Sequence, residues 1–154
     1  MTDESAAILD PPDVMRKTVL EYIRRINDHD VDGIIALMAD DFRYINSAGD
    51  TFRGRAFMRQ EWRRYFNLYP DYQIHVETVI SGPEGVAVFG SAEGTYSADT
   101  AEGEDPEENH WIVPAAYFGT TTGGKILRWQ TYSDSSIVFD IIKEHEAPTL
   151  PSEQ

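Results

Sequence analysis

The sequence predicts an α+β fold: a cone-shaped, curved, mixed or antiparallel sheet with three N-terminal helices enclosing a pocket. Three observations predict it. Two amphipathic helical segments run through a polar turn into a strand by Asn46. A third helical segment follows from Gly54 to Tyr69, and four strand-like runs with tight turns fill most of the remainder. Consecutive strands joined by short turns pair antiparallel, and a sheet with one apolar face needs helices to cover it.

The first helix is marked by Met15, Val19, Tyr22 and Ile26, which recur at steps of three and four and so share a face. Asp10 ahead of Pro11 predicts its start, because Asp accepts from free amides and Pro suits the first turn. Residues 27–30, Asn-Asp-His-Asp, break the pattern. Asp30 is placed to cap a second helix carrying Val31, Ile34, Ile35 and Met38. The run from Phe42 to Asn46 alternates as a strand. The third helix carries Phe57, Trp62, Tyr65, Phe66 and Tyr69, and Pro70-Asp71 ends it. Strands are expected over Tyr72–Ser81, Val86–Tyr96, His110–Phe118 and Lys125–Ser133, with turns at Gly82-Pro83 and Gly123-Gly124. A short helix is expected over Ile137–Ile142.

A chain of 154 residues fits one domain. The expected division is a flexible tail over 1–11, one domain over 12–143 and a flexible tail over 144–154. No apolar run approaches the ~20 residues that span a bilayer, and the first residues lack a basic and apolar leader. With no cysteine there is no disulfide, thiolate ligand or cysteine nucleophile, and a cytoplasmic location is the default expectation. The net charge is −14, and no Lys or Arg occurs from Tyr65 to Gly124. Nucleic-acid binding needs clustered cations and is not expected; nor is a membrane partner. The arginines at 53, 55, 59, 63 and 64 are read as a solvated helix face. Residues 99–108 hold six carboxylates without the spacing of a calcium loop. They read as a solvated hairpin, with docking on the arginine face as a further possibility. The four histidines lack zinc spacing, and Gly123-Gly124 opens no helix to cradle a phosphate. Neither metal nor cofactor is expected.

Four segments in this order and spacing resemble the SnoaL-like family of the nuclear-transport-factor-two-like superfamily. They are Asp-Val-Asp-Gly-Ile-Ile-Ala-Leu-Met-Ala-Asp-Asp-Phe (30–42), Phe-Arg-Gly-Arg (52–55), Gly-Ser-Ala-Glu-Gly-Thr-Tyr (90–96) and Gly-Gly-Lys-Ile-Leu-Arg-Trp-Gln-Thr-Tyr-Ser-Asp (123–134). The resemblance spans roughly Val14 to Ile142. It implies a pocket for a small hydrophobic, oxygenated ligand of polyketide or terpenoid type and a homodimer through the outer sheet face. Tyr72, Ile74, Val76 and Trp111 suit either that face or the core.

The resemblance also implies roles, position by position. Tyr22 matches the oxyanion-donating tyrosine of ketosteroid isomerase, but Asn46 stands at the place of its catalytic aspartate. Its second acid falls at Ala116, or at Tyr117 one register away. Tyr44 and Asn46 match a water-holding pair in limonene epoxide hydrolase. The charged set of that enzyme is replaced by Ser91, Glu93 and Thr131, and Thr131 also replaces the acid of the SnoaL cyclases. Alternation puts Phe89, Ser91, Glu93 and Thr95 on one strand face. The family pattern aims that face inward, which would set Glu93 among Tyr22, Tyr44, Trp62 and Trp129. The resulting expectation is Glu93 as general acid or base, in a dry site that raises its pKa, with Tyr22, Tyr44 and Asn46 assisting; the alternative is a hydrogen-bonded acid near a strand end that faces solvent or a hydroxyl. Trp62, Ser91, Trp111, Tyr117, Trp129 and Thr131 would contact substrate. Cofactor-free cyclisation, isomerisation or dehydration would follow; the alternative is a binding or accessory protein without turnover. His75 and His110 are read as structural, and Asp134 as a helix cap.

Overall fold

The computed structural model describes residues 7–97 and 109–146. The elements are α1 (Pro12–Asn27), α2 (Val31–Ala36), β1 (Met38–Ile45), β2 (Thr51–Arg53) and α3 (Arg55–Leu68). Then come β3 (Gln73–Gly82), β4 (Gly85–Thr95), β5 (His110–Thr122), β6 (Lys125–Ser133) and α4 (Ser136–Glu146). The strands form one sheet in the order β2-β1-β6-β5-β4-β3. The β1–β6 pair is parallel and every other pair antiparallel. This is the expected α+β architecture, with β2 as a short strand that the sequence pattern did not single out.

Helix α1 buries Met15, Val19, Tyr22, Ile23 and Ile26 against the sheet. Pro12 occupies its first turn, but Asp10 does not cap it. Asp10 instead accepts from Thr121 Oγ1 (2.7 Å) and from the amides of Gly123 and Gly124 (both 2.9 Å). Its own amide donates to the Thr121 carbonyl at 3.0 Å. The described part of the segment expected as a tail is therefore tied to the β5–β6 turn. Asp30 does cap α2, accepting from the Gly33 amide at 3.0 Å. The helix stops at Ala36, and Met38 opens β1 instead of continuing it. The parallel ladder to β6 explains this: Ile126 donates to the Leu37 carbonyl at 2.7 Å, and tertiary pairing overrides local periodicity.

The polar turn after α1 fastens the sheet edge. The Asn27 side chain accepts from the Ile74 amide (2.7 Å) and donates to the Ile74 carbonyl (2.9 Å), as a paired strand would. His29 stacks on Phe66 with ring centroids 4.0 Å apart, and its Nε2 lies 2.8 Å from the Tyr72 carbonyl. The start of β3 is thereby held to α1 and α3, which fixes one wall of the interior.

The arginines of α3 make local contacts. Arg55 donates to the Met38 carbonyl at 2.7 Å and lies 2.8 Å from Asp40. Arg59 pairs with Asp32, and Arg64 with Glu61 at 3.0 Å. Docking of the acidic stretch on this face concerns residues 99–108, which lie outside the described residues.

Close packing of α1 on the sheet depends on Gly119. A Cβ there would stand 2.9 Å from Val19 Cγ2 and 3.1 Å from the Trp129 ring, both fully packed groups. Gly119→Ala is expected to destabilise the protein by about 1–3 kcal/mol, the usual cost of overpacking. Urea unfolding would read this as a lowered midpoint with an unchanged slope; an unchanged midpoint would contradict the packing account.

Candidate functional site

Between α1, α3, the inner sheet face and α4 lies a cavity of about 740 Å³. This falls within the usual range for small-molecule sites. Its walls are aromatic. Tyr22 comes from α1, and Trp62, Tyr65 and Tyr69 come from α3 and its end. Tyr44, Trp111, Tyr117 and Trp129 rise from β1, β5 and β6, and Tyr72 from the approach to β3. Six of the eight tyrosines and all three tryptophans of the chain therefore face one space. The rings brace one another: Tyr22 meets Trp129 edge-on at 5.0 Å, and Tyr117 stacks on Trp129 at 5.3 Å. Tyr65 stands edge-on to Tyr72 at 4.9 Å.

Strand alternation decides which side chains enter. Tyr44 pairs with Trp129 and Tyr117 with Thr131, so these four share the inner face. Tyr117, not Ala116, is the inward residue of its pair. Tyr44 Oη reaches Thr131 Oγ1 at 3.4 Å, and Tyr72 Oη lies 3.5 Å from Tyr117 Oη. On β4 the inward residues are Val86, Val88, Ala92 and Gly94, set opposite Gly119, Tyr117, Val113 and Trp111.

Glu93 and Ser91 consequently lie on the outer face, which corrects the expectation that they enter the cavity. The physical reason is volume. A Cβ at Gly94 would lie 3.0 Å from Trp111 Cζ2 and 3.2 Å from Tyr69 Cβ, so the aromatic wall requires the small-residue face of β4 beneath it. Outside, Glu93 Oε1 meets His75 Nε2, and Oε2 is 3.0 Å from His110 Nε2. Neither the glutamate nor the histidines reach the cavity.

Asn46 lines the cavity, but its amide serves a turn. Its Oδ1 accepts from the Ala48 amide (3.0 Å) and the Asp50 amide (2.9 Å), shaping the β1–β2 connection. A carbonyl oxygen has two lone pairs, and both face backbone donors here. Asp134 is at the mouth, where its Oδ1 accepts from the Ser136 amide at 3.0 Å at the start of α4. That contact holds the Asp134 carboxyl below the usual carboxylate range.

Charge is confined to the mouth. Among the described residues lining the cavity, only Glu61, Arg64 and Asp134 are charged, and Arg64 is committed to Glu61. Inside, the titratable groups are phenols, and burial raises all six. Tyr22, Tyr65 and Tyr72 are pushed far up, and Tyr117 is pushed up to about 12. Tyr44 rises through burial, partly offset by its bond to Thr131, and Tyr69 rises through burial and its neighbour Tyr96. The Trp62 indole lies near enough to Tyr22 Oη to oppose that rise, yet the two do not reach hydrogen-bond geometry. Tyr22 Oη, Trp62 Nε1 and Trp111 Nε1 are buried without a hydrogen-bond partner.

A family model of the SnoaL-like domain matches residues 19–129. The chain belongs to the SnoaL-like family. Similar solved structures include a protein named as a candidate polyketide cyclase from Xanthomonas campestris pv. campestris. It is 22% identical, covers 84% of this chain and 98% of its own, and has a TM-score of 0.71. An LEH-like epoxide hydrolase from M. tuberculosis is 15% identical over 92% and 98% of the two chains, with a TM-score of 0.68. A protein of ketosteroid-isomerase-like fold from Catenulispora acidiphila DSM 44928, in complex with trimethylamine, is 18% identical. It covers 80% and 90% of the chains with a TM-score of 0.67. At these identities the structural matches show a shared fold. No curated protein sequence matches the chain. The SnoaL-like chain is thus a pocket protein in architecture, and among its described residues no helix is long and apolar enough to cross a membrane.

The sequence pattern left the cavity roles of Tyr65, Tyr69 and Tyr72 unassigned. The aromatic spacing along α3 was the available signal for the first two. For Tyr72, Ile74 and Trp111, burial shows the core alternative.

The phenols make a pH prediction. Unfolded tyrosines ionise near pH 10, whereas the buried ones are held protonated above that value. The contribution of Tyr117 is fully present below about pH 10 and is lost as pH rises through about 12, at roughly 1.4 kcal/mol per pH unit, and that of the other five is lost as pH rises from about 10 through their own raised values. Absorbance titration at the phenolate band should show these groups ionising together with alkaline unfolding; smooth titration of the cavity phenols in a folded protein near pH 10 would refute it.

Proposed function

We propose that this chain binds a small, largely apolar, uncharged ligand in the aromatic cavity and does not transform it by carboxylate acid–base chemistry. The observation that carries this reading is the direction of β4, which turns Glu93 outward and leaves no carboxylate or histidine inside among the described lining residues. General acid–base catalysis needs a group whose pKa lies near the working pH. The interior phenols, raised by burial, are poor proton carriers at neutral pH but good hydrogen-bond donors. Tyr22 and Tyr44 then orient a ligand oxygen, and Trp62, Tyr117, Trp129 and Thr131 supply the surrounding contacts. Membership in a family whose members bind small hydrophobic ligands, together with a cyclase-like and an epoxide-hydrolase neighbour, supports a polyketide- or terpenoid-like ligand.

The binding reading is tested by mass spectrometry on the protein purified under native conditions, with the Glu93→Gln variant alongside. The expected result is an uncharged small molecule that is retained, is released unchanged on denaturation and is held equally by the variant. Conversion of that molecule to a product, lost in Glu93→Gln, would overturn it.

We further propose a homodimer formed through the outer sheet face. Ile80, Phe89, Ile112 and Tyr132 stand there with 45–60% of their surface exposed, although they are large apolar or aromatic residues. Such a contiguous face is a liability on a free monomer. Sedimentation should give twice the monomer mass, and Phe89→Asp should give monomers whose cavity still binds; a monomeric parent protein would refute the interface.

A further inference from the structure

We propose that Phe57 and Phe139 form an outer apolar subsite at the cavity mouth, which takes the apolar extension of an elongated ligand whose oxygenated end lies inside. This rests on the binding reading above and names the ligand class for the same cavity. Hydrophobic affinity comes from apolar surface that is wet in the free protein and covered in the complex. The deep rings of Tyr22, Trp111, Tyr117 and Trp129 are buried already. Phe57 and Phe139 line the same cavity, yet 40% and 60% of their surface is exposed.

Exposed apolar side chains are ordinary on a protein surface, so exposure alone assigns nothing. Position distinguishes these two. Ile80, Phe89, Ile112 and Tyr132 stand on the outer sheet face, where the proposed dimer covers them. Phe57 and Phe139 belong to α3 and α4, and among the described large apolar residues with such exposure they are the two that line the cavity.

Phe57 ends an aromatic stack that begins inside. Tyr44 and Phe52 have centroids 6.1 Å apart and planes 25° from parallel; Phe52 and Phe57 follow at 5.7 Å and 10°. All three rings line the cavity. Tyr44 Oη lies beside Thr131 on the inner sheet face, whereas Phe57 opens to solvent, so one apolar wall runs from the interior to the surface. Helix α4 makes the same passage in one step, because Val138 and Phe139 both line the cavity and only Val138 is buried.

The charges at the mouth do not call for an ionic ligand. Arg64 is paired with Glu61 at 3.0 Å, and Asp134 accepts from the Ser136 amide. An ion laid against the rings would lose hydration without a compensating partner. The ligand that fits is uncharged, with its oxygen toward Tyr44 and an apolar body that reaches Phe57 and Phe139.

Fluorescence titration with 6-alkyl-2-acetylnaphthalenes, the alkyl group running from methyl to octyl, tests this. Affinity is expected to rise by about twofold for each methylene at the mouth, half-covered there, where complete burial at ~0.8 kcal/mol would give about fourfold. Phe139→Ser should cost the octyl member about tenfold more than it costs the methyl member, and Phe57→Ser should act in the same direction. Ile137, 51% exposed on the same helix, does not line the cavity, so Ile137→Ser should leave the chain-length series as in the parent. Affinity independent of chain length, an equal Phe139→Ser loss for short and long members, or the same loss from Ile137→Ser would overturn the subsite and leave the binding reading intact. A change of sedimentation in Phe139→Ser would make the face a contact between protein copies and also overturn it. Absence of binding by every member would overturn both.

Discussion

The constraint on which the structure depends is the size of the residues along the inner face of β4. Val86, Val88, Ala92 and Gly94 occupy little space beneath the helices, and Gly119 does the same beside them on β5. Large rings from α1, α3 and β5 can therefore stand over the sheet and meet one another instead of colliding with it. Interiors pack to high density, so a wall of rings closes over a floor only where that floor is low. The same parity that puts the small residues inside puts Ser91, Glu93 and Thr95 outside. Volume thus decides both the existence of the cavity and the absence of β4 carboxylates from it.

Once the rings are in place, electrostatics follows from solvent exclusion. A phenol in a dry site stays protonated because its anion has lost water and gained no cation. Such a wall is uncharged yet polar, since each indole N–H points along a direction fixed by its ring and each phenolic hydroxyl can turn to donate or accept. It can orient an oxygen atom without exchanging protons with it at neutral pH. The charged residues at the mouth, Glu61 with Arg64 and Asp134 on the α4 turn, stay where water solvates them. Separation of a neutral interior from a charged rim favours admission of uncharged molecules, since an ion must shed its hydration to enter.

Much of this was legible in the sequence. Periodicity located the helices and strands, and the ordered motifs marked the fold. Alternation alone could not orient β4, because one of its faces is small and apolar while the other mixes Phe89 with polar residues. Family pattern pointed the second face inward; the steric demands of Tyr69 and Trp111, on other elements, pointed it outward. Asp10 was misread for a similar reason: a local capping signal lost to amides of the β5–β6 turn more than a hundred residues away in the chain. Asn46 was read as water-holding on type and position, yet its amide closes a turn that depends on Gly49 with φ near 91°. In each case the residue type was informative, and its partner was set by tertiary contacts.

The outward place of Glu93 has its own logic. Thr95 gives its hydroxyl proton to Asp71 Oδ2 at 2.7 Å, so its oxygen can only accept from His110 Nδ1 at 2.9 Å. The other nitrogen of that ring faces Glu93 at 3.0 Å. His75, on the next strand, approaches the second oxygen of Glu93. Asp71, Thr95, His110, Glu93 and His75 therefore form one continuous polar chain across β5, β4 and β3. Exposed ion pairs contribute little singly, on the order of 1 kcal/mol or less. A chain that cross-links three adjacent strands gains instead by fixing their relative register. It lies beside Ile112 on the same face, and so gives that otherwise apolar surface a polar border. An acid in this position is accounted for by the sheet it braces, and the cavity behind it has no need of its charge.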